Sequence, residues 1–208
     1  MKHLVITCLL VLTVGCGSTP ETQYYILSAE HSSVVSKVGG DRPVIGIAEV
    51  RLADYLGTSR IAMVSDDSTV HSAVYHRWAE PLRHGVRRCL ATNLSRELPE
   101  FRVESRARRQ SQGALRIDLE VDVFHATTAG FAVLSGRWVL RHAHDDRIVS
   151  GEDFRLRESL EGSGYPAAVA AQSRLLRRLG KSISRETLAN AVPGHSPDGQ
   201  VAHGRPRH

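Results

Sequence analysis

Leu115-Arg116-Ile117-Asp118-Leu119-Glu120-Val121-Asp122-Val123 is the stretch that decides the fold, because apolar and charged residues alternate along it without a break. Strict period-two alternation is typical of a β-strand with one face in the core and the other in solvent. Residues 131–141 and 148–156 have the composition of two further strands, and His144-Asp145-Asp146-Arg147 between them is typical of a turn. Together these stretches predict an antiparallel meander.

Two long helices are predicted to accompany the meander. In residues 78–98, apolar side chains recur at three- and four-residue spacing, which places them on one face of a helix. Pro81 is tolerated only in a first turn, so this helix should begin near residues 78–80, and Pro99 should end it. Residues 165–189 show the same periodicity and predict the second helix.

The remaining strands are predicted from shorter apolar runs, at residues 24–27, 44–50, 61–64 and 101–104. This order of elements predicts an α/β (α+β) fold: a two-layer sandwich in which a mostly antiparallel sheet carries two long helices on one face. Residues 24–190 are expected to form this domain. Residues 191–208 have almost nothing to bury and predict a disordered tail.

The first sixteen residues have the form of an export signal, with a short basic start, an apolar run over residues 4–14 and then Gly15-Cys16. The run is about half as long as a membrane-spanning helix, so it is not expected to remain as an anchor. Residues 12–16 resemble the bacterial lipobox, whose cysteine is acylated before the signal is removed. We therefore expect a signal peptide at residues 1–15, lipidation at Cys16 and a tether over residues 16–23.

The cysteines leave one alternative open. Cys8 lies in the apolar run and leaves with the signal, so Cys16 and Cys89 remain. An ordinary cleaved signal could leave Cys16 to form a disulfide with Cys89. A bridge from an N-terminal tail to a helix is the less natural arrangement, and we interpret Cys89 as a small buried apolar residue.

The charge balance narrows the class of partner. The chain has 27 Lys and Arg residues against 22 Asp and Glu residues, for a formal net charge of +5. Removal of the signal takes away Lys2 and leaves about +4. This modest excess suits an anionic membrane surface or an acidic partner. The arginines are scattered and no basic stripe carries interspersed aromatic residues, so we predict no nucleic-acid binding.

Carboxylates and a serine raise the possibility of an enzyme. Asp118, Glu120 and Asp122 share one strand face, but Arg116 lies on the same face, which favours a solvated, ion-paired surface. The Gly162-Ser163-Gly164 stretch lacks the spacing of a nucleophile elbow. We predict no catalytic residue and no cofactor.

The hairpin between the second and third strands of the meander offers candidate metal ligands. His142, His144, Asp145 and Asp146 lie close together in sequence, but a protein zinc site needs three or four ligands that converge on one point. Paired aspartates are also common in turns. We predict a turn and no metal site.

Two features around the first helix suggest surface contacts. Trp78 lies next to Arg77 and Glu80 at the expected helix start, where it could contact a partner or anchor the helix on the sheet. Arg83, Arg87 and Arg88 form a basic row on the helix. This row could contact phospholipid headgroups or an acidic partner, or it could be a solvated face.

The residues that carry a family resemblance are, in chain order, Tyr24-Tyr25-Ile26-Leu27 after the lipobox, Val44-Ile45-Gly46-Ile47, Leu52-Ala53-Asp54-Tyr55-Leu56, Arg60-Ile61, Arg77-Trp78-Ala79-Glu80-Pro81-Leu82, Leu90, Asn93, Leu94, Gly136-Arg137-Trp138, Tyr165 and residues 167–171. Their order and spacing resemble the ABC-type transport auxiliary lipoproteins, the PqiC/YmbA-like family. The resemblance covers about residues 12–190.

The resemblance implies a non-catalytic lipoprotein that is anchored in the outer membrane and faces the periplasm. Such a protein would work beside an MCE-domain protein and an inner-membrane permease or ABC transporter that move lipids between membranes. The resemblance also implies phospholipid as a possible ligand and a ring-like homo-oligomer as a possible assembly.

From these inferences we expect partner or lipid contacts at six residues, namely Tyr55, Leu56, Trp78, Arg83, Arg87 and Arg88. A structural lipoprotein that braces an outer-membrane complex without handling lipid is the alternative. A hydrolase acting on lipid or cell wall is a third hypothesis.

Overall fold

The structure is a computed structural model that describes residues 20–29, 42–65, 68–106 and 114–191. The predicted signal peptide, Cys16 and the predicted tail beyond Ala191 lie outside the described residues. The strands and helices, in chain order, are β1 (Gln23–Tyr25), β2 (Val44–Leu52), a 3₁₀ turn (Asp54–Leu56), β3 (Arg60–Val64), β4 (Val70–Trp78), α1 (Leu82–Glu97), β5 (Arg102–Glu104), β6 (Leu115–Thr127), β7 (Phe131–His142), β8 (Ile148–Ser159) and α2 (Gly164–Ala191).

All eight strands join one mixed sheet that branches at β6. On one side, β6 pairs antiparallel with β7, and β7 pairs antiparallel with β8. On the other side, the first part of β6 pairs in parallel with β2, which continues to β5. The last two residues of β6, Ala126 and Thr127, pair in parallel with β3, which continues through antiparallel β4 to β1.

Both helices cover the same face of this sheet and pack against each other. α1 lies over β2 and β5, and α2 lies over β6, β7 and β8. The alternating residues of β6 supply the sheet side of the core, because Ile117, Leu119 and Val121 are almost fully buried while the residues between them face outward. Where the helices cross, a Cβ on Gly180 would lie 3.0 Å from the Asn93 Cβ, so glycine permits the close approach.

The predicted two-layer α/β sandwich with two helices on one face is confirmed. The predicted meander corresponds to β6, β7 and β8, and their two long antiparallel pairings make up most of the paired length of the sheet. The alternation pattern did not predict the parallel pairings of β6 with β2 and β3. Parallel partners are distant in sequence, and periodicity within a strand does not identify them.

The predicted start of the first helix, near residues 78–80, is wrong. Residues 70–78 form strand β4, and α1 begins at Leu82, immediately after Pro81. The backbone N–H of Trp78 donates to the Ser59 carbonyl oxygen at 2.7 Å, and that of Ala79 donates to the Tyr25 carbonyl oxygen at 2.8 Å. These bonds hold the chain extended through Ala79, and Glu80, the residue before the proline, is itself biased away from helical geometry.

Cys89 is buried in α1 within the core. Burial in apolar surroundings raises the pKa of its thiol to about 11, against smaller opposing effects of Arg88 and Asn93. The side chain therefore has the character of the small apolar residue that the sequence predicts.

Gly136 in β7 is required by the contact between β6 and β7. A Cβ at this position would lie closer than 3.0 Å to the carbonyl oxygen of Glu120 on β6, and a backbone atom cannot move away without breaking the pairing. We expect Gly136→Ala to lower the free energy of unfolding by roughly 2–4 kcal/mol, as forced overpacking and lost pairing do. Urea denaturation of the purified protein measures this loss.

Gly130→Ala is the matched control for this substitution. Gly130 has φ of +83° but no atom within 4 Å of an added Cβ, so this variant reports backbone strain alone. It should lose about 1 kcal/mol. Equal losses in the two variants would contradict the steric explanation for Gly136.

Candidate functional site

The face of the sheet opposite the helices is open, and its central part is a polar cleft. The cleft has a volume of about 610 Å³ and is lined by charged side chains of β2, β6 and β7. The Arg116 guanidinium lies 2.9 Å from an Asp146 carboxylate oxygen and 3.5 Å from one of Asp118. Arg141 lies 3.4 Å from the same Asp118 carboxylate. The charges that line the cleft are therefore largely neutralised within the domain.

The carboxylates that the sequence raised as candidate catalysts belong to this ion-paired surface. Asp118 is shared by two arginines, and Glu120 lies 4.0 Å from Arg51. Carboxylates that share arginines in this way are typical of a solvated polar surface. This arrangement favours the solvated-face interpretation.

The β7–β8 hairpin adopts the predicted turn. Asp145 accepts a hydrogen bond from the backbone N–H of Arg147 at 3.2 Å, and this bond is the main cause that lowers the pKa of its carboxyl group. Asp146 has φ of +58°. Within the described ranges, no group of three or more His, Cys, Asp and Glu side chains is arranged to hold a metal ion.

Tyr55 connects the 3₁₀ turn to β6. Its hydroxyl group lies 2.9 Å from Nδ1 of His125 and accepts a hydrogen bond from the backbone N–H of Phe124 at 3.3 Å. Burial raises the pKa of the Tyr55 phenol, and burial followed by the nearby Arg155 charge lowers the pKa of the His125 imidazole. Both groups are therefore neutral at pH 7, and the half-buried pair fastens the turn to the sheet.

Two of the expected contact residues are core residues. Leu56 is 4% exposed and Trp78 is 6% exposed, and both pack in the main apolar cluster. A partner could reach neither side chain in the folded domain. We therefore correct the expectation for these two residues: Trp78 ends β4 and anchors it on the core, and Leu56 closes the 3₁₀ turn.

The basic row on α1 divides into two parts. Arg88 binds Glu80, with Nη2 and Oε1 2.5 Å apart, and also donates to the Leu27 carbonyl oxygen at 3.1 Å. Arg83 is exposed and Arg87 is half-buried one turn later, and neither forms an ion pair or hydrogen bond with a described residue. Only Arg83 and Arg87 are thus available for an external contact.

Arg88 belongs to a clamp that holds the segment after β1. Leu27 is buried beside Gly85 of α1, and the backbone N–H of Ser28 donates to the Ser173 hydroxyl group of α2 at 3.2 Å. The segment and α2 enclose a shallow groove of about 490 Å³ with an apolar floor that includes Val169. The clamp holds the chain against the domain immediately after β1.

A second Tyr–His pair lies beside this groove, and the sequence analysis missed it. The Tyr25 hydroxyl group lies 2.9 Å from Nδ1 of His76, and the His76 ring stacks on Tyr165 with centroids 4.1 Å apart. These residues come from β1, β4 and α2. Strand β4 is rich in apolar residues, although Val70, Val74 and Tyr75 on it are exposed. Recognising this stretch as a strand could have led to the pair.

None of the helices in the described parts of the chain is long and apolar enough to cross a membrane.

Comparison with known proteins identifies relatives along nearly the whole domain. The profile of the family described as "ABC-type transport auxiliary lipoprotein component" matches residues 25–184. The intermembrane transport lipoprotein PqiC of Escherichia coli (strain K12) is 26% identical over 187 residues, which cover 89% of this chain and 97% of the relative. PqiC of Shigella flexneri matches with the same identity and coverage.

Solved structures show the same fold. A crystal structure of an uncharacterised protein has a TM-score of 0.69 and 24% identity, and it covers 80% of this chain and 99% of its own. A protein from Xanthomonas campestris has a TM-score of 0.62 and 16% identity, and it covers 80% of this chain and 95% of its own.

The clamp predicts that Arg88 and Arg83 contribute differently to stability, although both are on α1. Arg88→Ala removes the ion pair with Glu80 and the bond to the Leu27 carbonyl group, and it should lower the free energy of unfolding by about 1 kcal/mol. Arg83→Ala removes no bond to a described residue and should leave it unchanged. Urea denaturation compares the two variants, and equal losses would contradict the assignment of Arg88 to the clamp.

Proposed function

The chain belongs to the ABC-type transport auxiliary lipoprotein component family, and from this membership we propose that it is the outer-membrane component of an intermembrane lipid transport system. The observation that carries the proposal is the match to PqiC, which extends over 97% of that intermembrane transport lipoprotein. The family is an auxiliary component of transport and not a catalytic one. The ion-paired carboxylates of the open sheet face agree with a domain that acts by position and binding.

The proposed mechanism begins with the anchor. Acyl chains on Cys16 hold the protein at the periplasmic leaflet of the outer membrane, and the tether over residues 16–23 gives it reach. The clamp formed by Arg88, Glu80 and Leu27 then fixes the domain relative to the end of the tether. The domain thereby stays close to the membrane, where a partner can meet it.

The proposed partners are an MCE-domain protein in the periplasm and, through it, an inner-membrane permease or ABC transporter. Arg83 and Arg87 lie one turn apart on α1, where their unneutralised charges suit an acidic surface on such a partner. Tyr55 is half-buried and keeps an accessible edge next to His125. Phospholipid passage along this assembly, and a ring-like homo-oligomer, are part of the proposal that the family membership suggests.

The alternative is a structural lipoprotein that braces an outer-membrane complex without handling lipid. The two functions require the same anchor and the same fold, so they differ only in the partner and the bound lipid.

The anchor is tested by Cys16→Ser. Fractionation of the host should recover the parent protein with outer membranes, whereas Cys16→Ser should accumulate as unprocessed precursor or leave the outer-membrane fraction, because it has no thiol to acylate. Cys89→Ala is the control and should fractionate as the parent does, since Cys89 is buried in the core. Outer-membrane recovery of Cys16→Ser would disprove lipidation as the anchor.

The partner is tested by affinity purification of the detergent-extracted protein, with mass spectrometry of the proteins and lipids recovered. We expect an MCE-domain protein, and we expect Arg83→Glu with Arg87→Gln to reduce its recovery severalfold, because the mutations remove the positive surface. Arg185→Glu, which reverses an exposed arginine on α2, should leave the recovery unchanged. Recovery of outer-membrane assembly proteins alone would favour the structural alternative.

A further inference from the structure

Two arginines face each other across neighbouring strands at the side of the sheet where the N-terminal segment enters. Arg60 on β3 is the direct antiparallel partner of Arg77 on β4, and Arg77 is in turn the parallel partner of Tyr24 on β1. Residues paired in this way point to the same face of a sheet. Because the next residues, Ile61 and Trp78, are buried in the main apolar cluster, this row lies on the open face.

The two arginines are not neutralised as the others of the open face are. The arginines of the central cleft each meet a carboxylate, as Arg116 meets Asp146 at 2.9 Å and Arg141 meets Asp118 at 3.4 Å. In contrast, the guanidinium groups of Arg60 and Arg77 form no ion pair or hydrogen bond with any residue that the structure describes. The buried Nε atom of Arg77 has no hydrogen-bond acceptor there, and neither do those of Arg116 and Arg141, so the contrast lies in the missing carboxylate.

An anion bound between the two arginines would stabilise this arrangement. Like charges directly opposite each other on neighbouring strands destabilise a sheet, and a buried donor without an acceptor adds to the loss. Two adjacent guanidinium groups offer paired donors that match the oxygens of a phosphate group. The missing element is therefore an anion with several oxygens.

The surroundings of the arginine pair are apolar and exposed. Tyr24 is 66% exposed and lies next to Arg77, and Ile26 is 54% exposed two residues later. On the same face of β3 and β4, Val64 is paired with Val70, which is 43% exposed. Basic groups with an exposed tyrosine and aliphatic side chains are typical of surfaces that lie at the headgroup level of a membrane.

We propose that the surface formed by Tyr24, Arg60, Val70 and Arg77 rests on the bilayer and binds lipid phosphate groups through its two arginines. Tyr24 lies only eight positions after Cys16, so an acyl anchor at Cys16 keeps this surface within about 28 Å of the membrane. The inference rests on the lipid anchor of the proposed function. It orients the domain, with the β1–β4–β3 side toward the lipid and the β8 edge away from it.

The experiment uses the full acylated protein, extracted from membranes and reconstituted into vesicles of phosphatidylethanolamine and phosphatidylglycerol that carry brominated acyl chains. The natural Trp78 and Trp138 are buried and give a low background of quenching. We expect bromine to quench the tryptophan introduced by Tyr24→Trp. The control Ile148→Trp places a tryptophan at a 58% exposed position on β8, at the opposite edge of the sheet, and should not be quenched.

Arg60→Glu separates binding from folding when it is added to the Tyr24→Trp background. It places opposite charges across β3 and β4, so the melting temperature should stay the same or rise by roughly 1–3 °C while the quenching is lost. Arg60→Lys keeps the positive charge and should retain most of the quenching.

Each other outcome overturns the inference. Equal quenching of the tryptophans at positions 24 and 148 would contradict it, and so would quenching that survives Arg60→Glu. Shielding of position 24 by a protein partner and not by lipid would also contradict it. Protein that fails to float with the vesicles would instead contradict the acyl anchor, so failure of the proposed function is seen separately.

Discussion

The two-sided character of β6 is the constraint on which the rest of the domain depends. Its thirteen residues alternate between a core face and an open face, and the strand pairs with β7, β2 and β3. Because its apolar face must be covered, both helices are held to one side of the sheet. Because the arginines and carboxylates of β6 and its neighbours β2 and β7 neutralise each other, the central part of the other side can stay exposed to water.

The branch of the sheet at β6 separates two kinds of open surface. Around β2, β6 and β7, guanidinium groups and carboxylates neutralise each other, and that cleft resembles an ordinary solvated face. Around β1, β4 and β3, Arg60 and Arg77 face each other without a carboxylate from the described residues. Strand β6 thus borders two surfaces. Along its first part lies the cleft, whose charges are paired, and at its far end lies the surface of Arg60 and Arg77, which has no carboxylate from the described residues.

The N-terminal segment links these features to the family. β1 adds only three residues to the sheet, yet Arg88 and Ser173 bind the segment that follows it, and Leu27 is buried beside α1. A lipoprotein domain needs such an attachment, because an anchor on a loose tail would leave its orientation at the membrane undefined. Because the N-terminal segment is bound to the domain in this way, a lipid anchor on it would determine which side of the domain meets a membrane or a partner.

The sequence by itself determined the meander, the second helix, the helical stripe of α1 and the class of fold, because periodicity reports which face of an element is buried. It also carried the family resemblance, which the match over residues 25–184 confirmed. It placed the start of α1 wrongly and failed to predict β4. The spacing of Trp78 and Leu82 suits a helix, and only the hydrogen bonds to Ser59 and Tyr25 keep the chain extended.

The tertiary structure alone decided which polar groups are paired. Arg83, Arg87 and Arg88 are alike in sequence, but Arg88 is committed to Glu80 because β4 delivers that carboxylate to α1. Arg60 and Arg77 are seventeen residues apart and become neighbours only through the register of β3 and β4. The composition gives only the number of charged groups. Which of them form ion pairs depends on distances between strands that are remote in the chain, and only the folded sheet sets those distances.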